Sequence, residues 1–195
     1  MADLLPLATY SFVMSITPGP NNVMLTASGA TFGFRRTLPA LLGVWAGHTT
    51  QTLACCIGLG VLFTRWPILH EVLRWAGAAY LLYLGWRLLG SGGPRDGSAP
   101  KPVSFLEAAL FQAVNPKAWV MSLTTAAVFL PSGVSLPVAC AYVAGMMLVV
   151  NLPSITVWAL FGSSLRRWLT LPSRRRAFNG IMAFGLVATG LVMVV

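Results

Sequence analysis

Acidic side chains are nearly absent from this 195-residue chain: Asp3, Glu71, Asp96 and Glu107 are the full set. Charge of either sign is scarce. Charged residues make up 9% of the chain, against about 25% in an ordinary soluble domain, while hydrophobic types reach 56%. Cysteine is sparse as well. Cys55, Cys56 and Cys140 form no C-x-x-C pair and lie inside apolar runs, where they read as small packing residues. These shortages exclude a disordered chain, a disulfide scaffold and an ordinary cytosolic enzyme. The thirteen basic residues give a net charge of +9, but they do not make a nucleic-acid protein. Binding nucleic acid needs a basic face on a solvated domain, and nearly every Arg here stands at the end of an apolar run. That is a membrane pattern, with the lipid bilayer as the partner.

Four long stretches carry no Lys, Arg, Asp or Glu: Leu4–Phe34, Thr37–Thr64, Ala118–Leu165 and Ala177–Val195. A transmembrane helix needs about 20 mostly apolar residues. The third stretch is too long for one span, and Leu130-Pro131-Ser132-Gly133 divides it with a turn signal. A further span between Ile68 and Leu89 is bracketed by Arg74 and Arg87, which can snorkel to opposite interfaces. The sequence thus predicts an all-α integral membrane protein of six transmembrane helices, near 4–27, 38–63, 68–89, 104–130, 134–162 and 176–195. The first is not a signal peptide, because it lacks a basic n-region and prolines interrupt it. No connection is long enough to hold a soluble domain.

Basic residues cluster in the odd-numbered connections: Arg35 and Arg36; Arg87, Arg95 and Lys101; Arg166, Arg167, Arg174, Arg175 and Arg176. The opposite side receives only Arg65 and Arg74. The positive-inside rule places the odd connections in the cytoplasm, with an N-out/C-out topology. A linker at 91–103, rich in Gly, Ser and Pro, divides the chain into residues 1–90 and 104–195, with three helices each. An odd number of spans per half makes related halves inverted, an architecture recurrent in secondary transporters. A shift of 98 places Pro18 on Pro116, Pro39 on Pro137 and Gly47 on Gly145.

Polar breaks carry the functional signal. The first span contains Thr17-Pro18-Gly19-Pro20-Asn21-Asn22. Pro18 frees the carbonyl of Met14, and Pro20 that of Ile16. Such groups need partners in hydrocarbon and are tolerated where they line a wet cavity. Freed carbonyls suit an ammonium group. The N–H groups from Asn21 onward suit a carboxylate. The fourth span contains Asn115-Pro116-Lys117, with Pro116 freeing the carbonyl of Gln112. A midplane Lys is expensive to insert and should face a cavity or a partner. Asn151 with Pro153 is a third polar break. In the second span, His48, Gln51 and Thr52 share a face, and Gly43-x-x-x-Gly47 favours close helix contact. Glu107 and His48 are the proton-coupling candidates. The candidate substrate-binding set is Thr17, Pro18, Gly19, Pro20, Asn21, Asn22, Asn115, Pro116, Lys117 and Asn151. No cofactor and no metal are expected.

Thr17-Pro-Gly-Pro-Asn21 and Asn115-Pro-Lys117, in a short six-span chain, resemble the lysine exporter superfamily of LysE/RhtB type. Gly33-Phe-Arg-Arg36 and Gly43-x-x-x-Gly47 resemble it too. Trp75-Ala-Gly-Ala-Ala-Tyr80 and Lys101-Pro-Val-Ser-Phe105 are similar to its branch exporting cysteine and O-acetylserine. The resemblance implies a bacterial inner-membrane exporter of amino acids or close derivatives such as cysteine, O-acetylserine, threonine or homoserine. It further implies drive by the proton gradient and, in many members, a homodimer.

Two other classes fit less well. A divalent metal-ion exporter of the same superfamily needs a pathway lined by carboxylate, His or Cys, and the membrane offers little beyond Glu107. An intramembrane enzyme needs a nucleophile with a base, or a metal cluster. No G-x-S-x-G occurs, and His70-Glu71 is followed by Arg74 where H-E-x-x-H needs a second His.

Overall fold

The computed structural model describes residues 4–61, 65–90 and 101–194, and among them it is all-helical, without a strand. The linker at 91–100, with Arg95 and Asp96, and the predicted end of the second span at 63 lie outside the described residues.

The predicted first span is two helices, α1 (Leu5–Ile16) and α2 (Pro20–Phe32). Between them the backbone is extended at Thr17 and Gly19. Pro20 then opens α2 as its first residue, where its missing N–H costs nothing. Helix α2 runs on to Phe32 rather than stopping at 27. The reason is tertiary. Gly29 and Gly162 bring α2 against the segment 152–165 so closely that a Cβ on either would strike the other's main chain. Gly33, at φ 82°, turns the chain directly into α3 (Phe34–Ala54). That helix therefore starts at 34 and not 38, and continues through a π-type turn at Cys55–Leu59.

Helix α4 spans Pro67–Gly90. The predicted 104–130 span is again divided. Helix α5 (Phe105–Phe111) tightens into a 3₁₀ turn at Gln112–Val114, and α6 (Pro116–Thr124) restarts after an extended Asn115 and widens at Thr125–Phe129. Helices α7 (Leu136–Met146) and α8 (Leu152–Leu165) join through a π-type turn at Met147–Asn151. Helix α9 covers Pro172–Val194. It begins at Pro172 rather than 176, so Arg174, Arg175 and Arg176 lie in its first turns, with Arg174 over the Trp168 ring at 4.9 Å. Among the described residues, only the continuous 30-residue helix Leu136–Leu165 is long and apolar enough to cross a bilayer by itself. The breaks at 17–19 and 112–115 shorten two of the other candidates.

The distribution of polarity is inside-out. Ser15, Asn22, His48, Thr52, Gln112, Asn115, Ser122 and Asn151 are buried, while Leu5, Trp86, Val149, Phe184 and Val192 are exposed. In water this arrangement would be unstable, and in hydrocarbon it is the stable one. Helix α3 sits centrally, touching α2, α5, α6, α7 and α8. Leu25, Leu41, Val44, Leu81, Phe111, Ile155 and Leu186 form the apolar core around it.

Three pairings organise the bundle. Helices α1 and α2 run parallel to α8, since Ser15 meets Asn151, Thr26 meets Trp158 and Phe34 meets Ser163. Helix α3 runs parallel to α5 and α6: Gly43 lies on Phe105, Gly47 on Ala109, and Thr52 bonds Ser122. Helices α4 and α9 are antiparallel, with Gly85 against Ala183 and Gly190 against Ala78.

Candidate functional site

The two broken helices meet. Helix α2 starts at Pro20 and helix α6 at Pro116, each opening on a proline. The α6 end is capped by Asn115 Oδ1, which accepts from Lys117 N at 3.2 Å. Residues from both N-termini line one small cavity, with Met14, Ser15, Gly19, Pro20, Asn21, Asn22, His48, Asn115, Lys117, Ala118, Met121, Asn151 and Ile155 in its wall. Its free volume of about 20 Å³ holds about one water.

Seven of the ten candidate binding residues line this cavity, together with His48. Thr17 and Pro18 stand at its rim as acceptors for Lys117, and Pro116 sets the start of α6. Glu107 is elsewhere. It closes a capping box with Ser104 at the start of α5, and its Oε1 accepts from Arg87 Nη1 and Tyr80 Oη, both at 3.1 Å. The local sequence Ser104-Phe-Leu-Glu107 is a standard helix-start signature.

The freed carbonyls are not left open. Met14 O accepts from Thr17 Oγ1 at 3.2 Å, and Ile16 O from Trp158 Nε1 at 3.1 Å. Gln112 O accepts from Asn115 N at 3.2 Å. It also takes the Gln51 amide at 3.1 Å when that group is oriented with its nitrogen donating. Asn22 Nδ2 bridges Ser15 O and Thr17 O at 3.0 and 2.7 Å, lacing α1 to α2 across the break. The freed carbonyls of Met14 and Ile16, expected to need partners, are thus met by neighbouring side chains. The exposed acceptors are one step on, at Thr17 and Pro18, where Lys117 Nζ donates to Thr17 O and Oγ1 at 2.9 Å each and to Pro18 O at 3.2 Å.

A residue that sequence reasoning passed over ties the two halves together. Gln112, 1% exposed, exchanges two hydrogen bonds with Asn21 at 2.9 and 3.0 Å, and donates to Ala108 O at 2.9 Å. Its signal was legible: an uncharged polar side chain one turn before a mid-helix proline in an apolar span. Ser15 is the other omission, holding Asn151 Nδ2 at 2.8 Å. Two buried atoms in the cavity wall, His48 Nε2 and Asn151 Oδ1, have no hydrogen-bond partner among the described residues. Buried polar atoms without partners are unusual, and these two add free hydrogen-bonding capacity to the wall.

The wall thus offers one ammonium, one imidazole, several neutral amides and two half-helix N-termini, inside an apolar-coated helical bundle. That combination has the chemistry to hold a small polar molecule, as the wall of a membrane transporter does. The chain belongs to the LysE type translocator family, which it matches over residues 12–195, and it is accordingly a transporter and not an enzyme. The cysteine/O-acetylserine efflux proteins of Escherichia coli strain K12, Shigella sonnei strain Ss046 and Shigella flexneri are each 31% identical to it over 186 residues, 92% of this chain and 91% of each relative. No solved structure matches the chain.

Proposed function

We propose that the protein exports small neutral amino acids or close derivatives, of the cysteine and O-acetylserine type, across the bacterial inner membrane by proton antiport. The observation that carries this reading is the single cavity where two half-helix N-termini, Lys117 and the amides of Asn21, Asn22, Asn115 and Asn151 converge. Positive ends and an ammonium suit a carboxylate; the amide oxygens and the carbonyls of the break suit an ammonium group. The efflux activity named for the 31%-identical relatives supports the substrate class. A divalent cation is the poorer cargo, because Lys117 would repel it and the wall supplies one imidazole and no carboxylate.

Six spans in two inverted halves, with both termini outside, complete the proposal. The pairings support it: exchanging the halves turns the α1/α2–α8 contact into the α5/α6–α3 contact and maps α4–α9 onto itself. The basic residues at 35–36 and 166–176 would face the cytoplasm. His48 is the preferred proton carrier, being buried beside the cavity with Nε2 unpartnered. The test is efflux from preloaded cells or vesicles across a panel of amino acids, with and without a proton gradient. Uphill export of a neutral amino acid that collapses with the gradient is expected. Export of none of them, or transport indifferent to the gradient, would refute the substrate class or the coupling respectively.

A further inference from the structure

We propose that Thr17 O, Thr17 Oγ1 and Pro18 O form the subsite for the primary ammonium group of the cargo, and that Lys117 is its tethered occupant while no cargo is bound. The inference rests on the zwitterion reading above and adds to it a site and a rule of selection.

An ammonium group has three donors. Those of Lys117 go to three acceptors, at 2.9, 2.9 and 3.2 Å, all at the break between α1 and α2. In this arrangement Lys117 has no donor left for a carboxylate, so it must leave the break in order to bind one. The side chain lies across Gly19. A Cβ there would stand 2.8 Å from Lys117 Cδ and 3.2 Å from Nζ. Gly19 has an extended backbone that any residue adopts, φ −173° and ψ 175°, so the glycine serves the passage of the lysine rather than the conformation of the chain. The ion pairs among the described residues are Arg74–Glu71 and Arg87–Glu107, and neither reaches Lys117. Two carbonyls and a hydroxyl hold it, and a half-buried positive charge without a carboxylate partner gains from any counter-charge brought to it.

A zwitterion resolves this arrangement in one exchange. Its ammonium takes the three acceptors, Lys117 moves off, and the displaced lysine pairs with the incoming carboxylate. Charge balances at every position, because the cargo adds one charge of each sign. Half-molecules fail. An amine without a carboxylate displaces Lys117 but leaves it unpaired, and a carboxylate without an amine must draw Lys117 off and leave Thr17 Oγ1 and Pro18 O without their ammonium, with Thr17 O keeping only Asn22 Nδ2. Selection for both groups on one molecule follows from the competition between the cargo and Lys117, beyond any fit to a pocket. The same lysine that will bind the carboxylate bridges α6 to the break between α1 and α2.

The test uses three probes on purified protein in detergent: L-cysteine, cysteamine (the amine alone) and 3-mercaptopropionate (the carboxylate alone), under reducing conditions, with binding read by calorimetry. Wild type is expected to bind cysteine at least tenfold more tightly than either half-molecule. Lys117→Met should lose cysteine affinity tenfold or more and gain cysteamine affinity by a similar factor, since the acceptors are vacated. A gain cannot come from misfolding. Lys117→Gln, which keeps a donor for Thr17 O, guards against an unstable Met variant and should shift both affinities the same way by less. Loss of cysteine binding with no gain for cysteamine in either variant would overturn the shared subsite and leave Lys117 as a carboxylate ligand only. Unchanged cysteine binding would overturn any role at the site. A wild type that binds cysteine while the variants gain nothing refutes this inference alone; a wild type that binds none of the probes, and exports no amino acid in the panel, refutes the zwitterion reading beneath it.

Discussion

The Asn21–Gln112 pair gives the most quantitative test of how the halves are joined. The proposed perturbation is a double-mutant cycle, Asn21→Ala against Gln112→Met, the second chosen to keep volume at a site 1% exposed. Asn21→Ala removes both reciprocal bonds, at 2.9 and 3.0 Å, and leaves Gln112 Oε1 with a single long contact to Asn115 at 3.4 Å. Gln112 Nε2 keeps Ala108 O. A neutral hydrogen bond contributes about 1 kcal/mol net, and interhelical bonds in membrane proteins average about 0.6 and reach about 1.7. Two such bonds give a coupling energy of about 1–2 kcal/mol. Each single variant should cost about 1–3 kcal/mol, because it strands a buried partner, and the double variant should be little worse than either. The assay is reversible unfolding in mixed micelles, with the four proteins compared at equal denaturant sensitivity. Additivity to within about 0.5 kcal/mol would refute the coupling and show each amide to be held by its other neighbours.

Four further outcomes follow from the geometry. Replacing Pro18 and Pro20 with Ala should let α1 run into α2, lower export at least tenfold and leave abundance and detergent stability unchanged; full export would make the break a packing feature. His48→Gln should abolish uphill, gradient-driven export while Glu107→Gln keeps it and loses about 1 kcal/mol of stability through its capping box; the opposite pattern would move proton coupling to Glu107. Gly162→Leu places a side chain into the main chain at Thr26 and should cost about 3 kcal/mol or more, read as loss of monodisperse protein on size exclusion; tolerance would mean that α2 and α8 slide freely. Cysteines introduced near residues 97 and 170 should be labelled from the cytoplasm only, and labelling of both from the periplasm would reverse the proposed orientation.

Much of this protein is local information and was legible from residues alone. Scarce charge and long apolar runs determine that the chain belongs in a membrane. Pro18, Pro20 and Pro116 mark where helices break, since a residue without an N–H removes a rung of the ladder, although α3 runs on through Pro39. Ser104 and Glu107 announce a helix start, and Gly43 with Gly47 announces a close contact. Tertiary structure alone decided the rest, because the partners lie far apart in sequence. Ninety-one residues separate Asn21 from Gln112, and one hundred separate Thr17 from Lys117. Periodicity did not reveal that Trp158 would take the carbonyl of Ile16, that Lys117 would reach Thr17 and Pro18, or that Glu107 would turn to Arg87 and Tyr80, away from the cavity. A break in a helix is a property of the chain at that point; which group satisfies it depends on what the packing of α2 on α8, and of α3 on α5, brings within 3 Å.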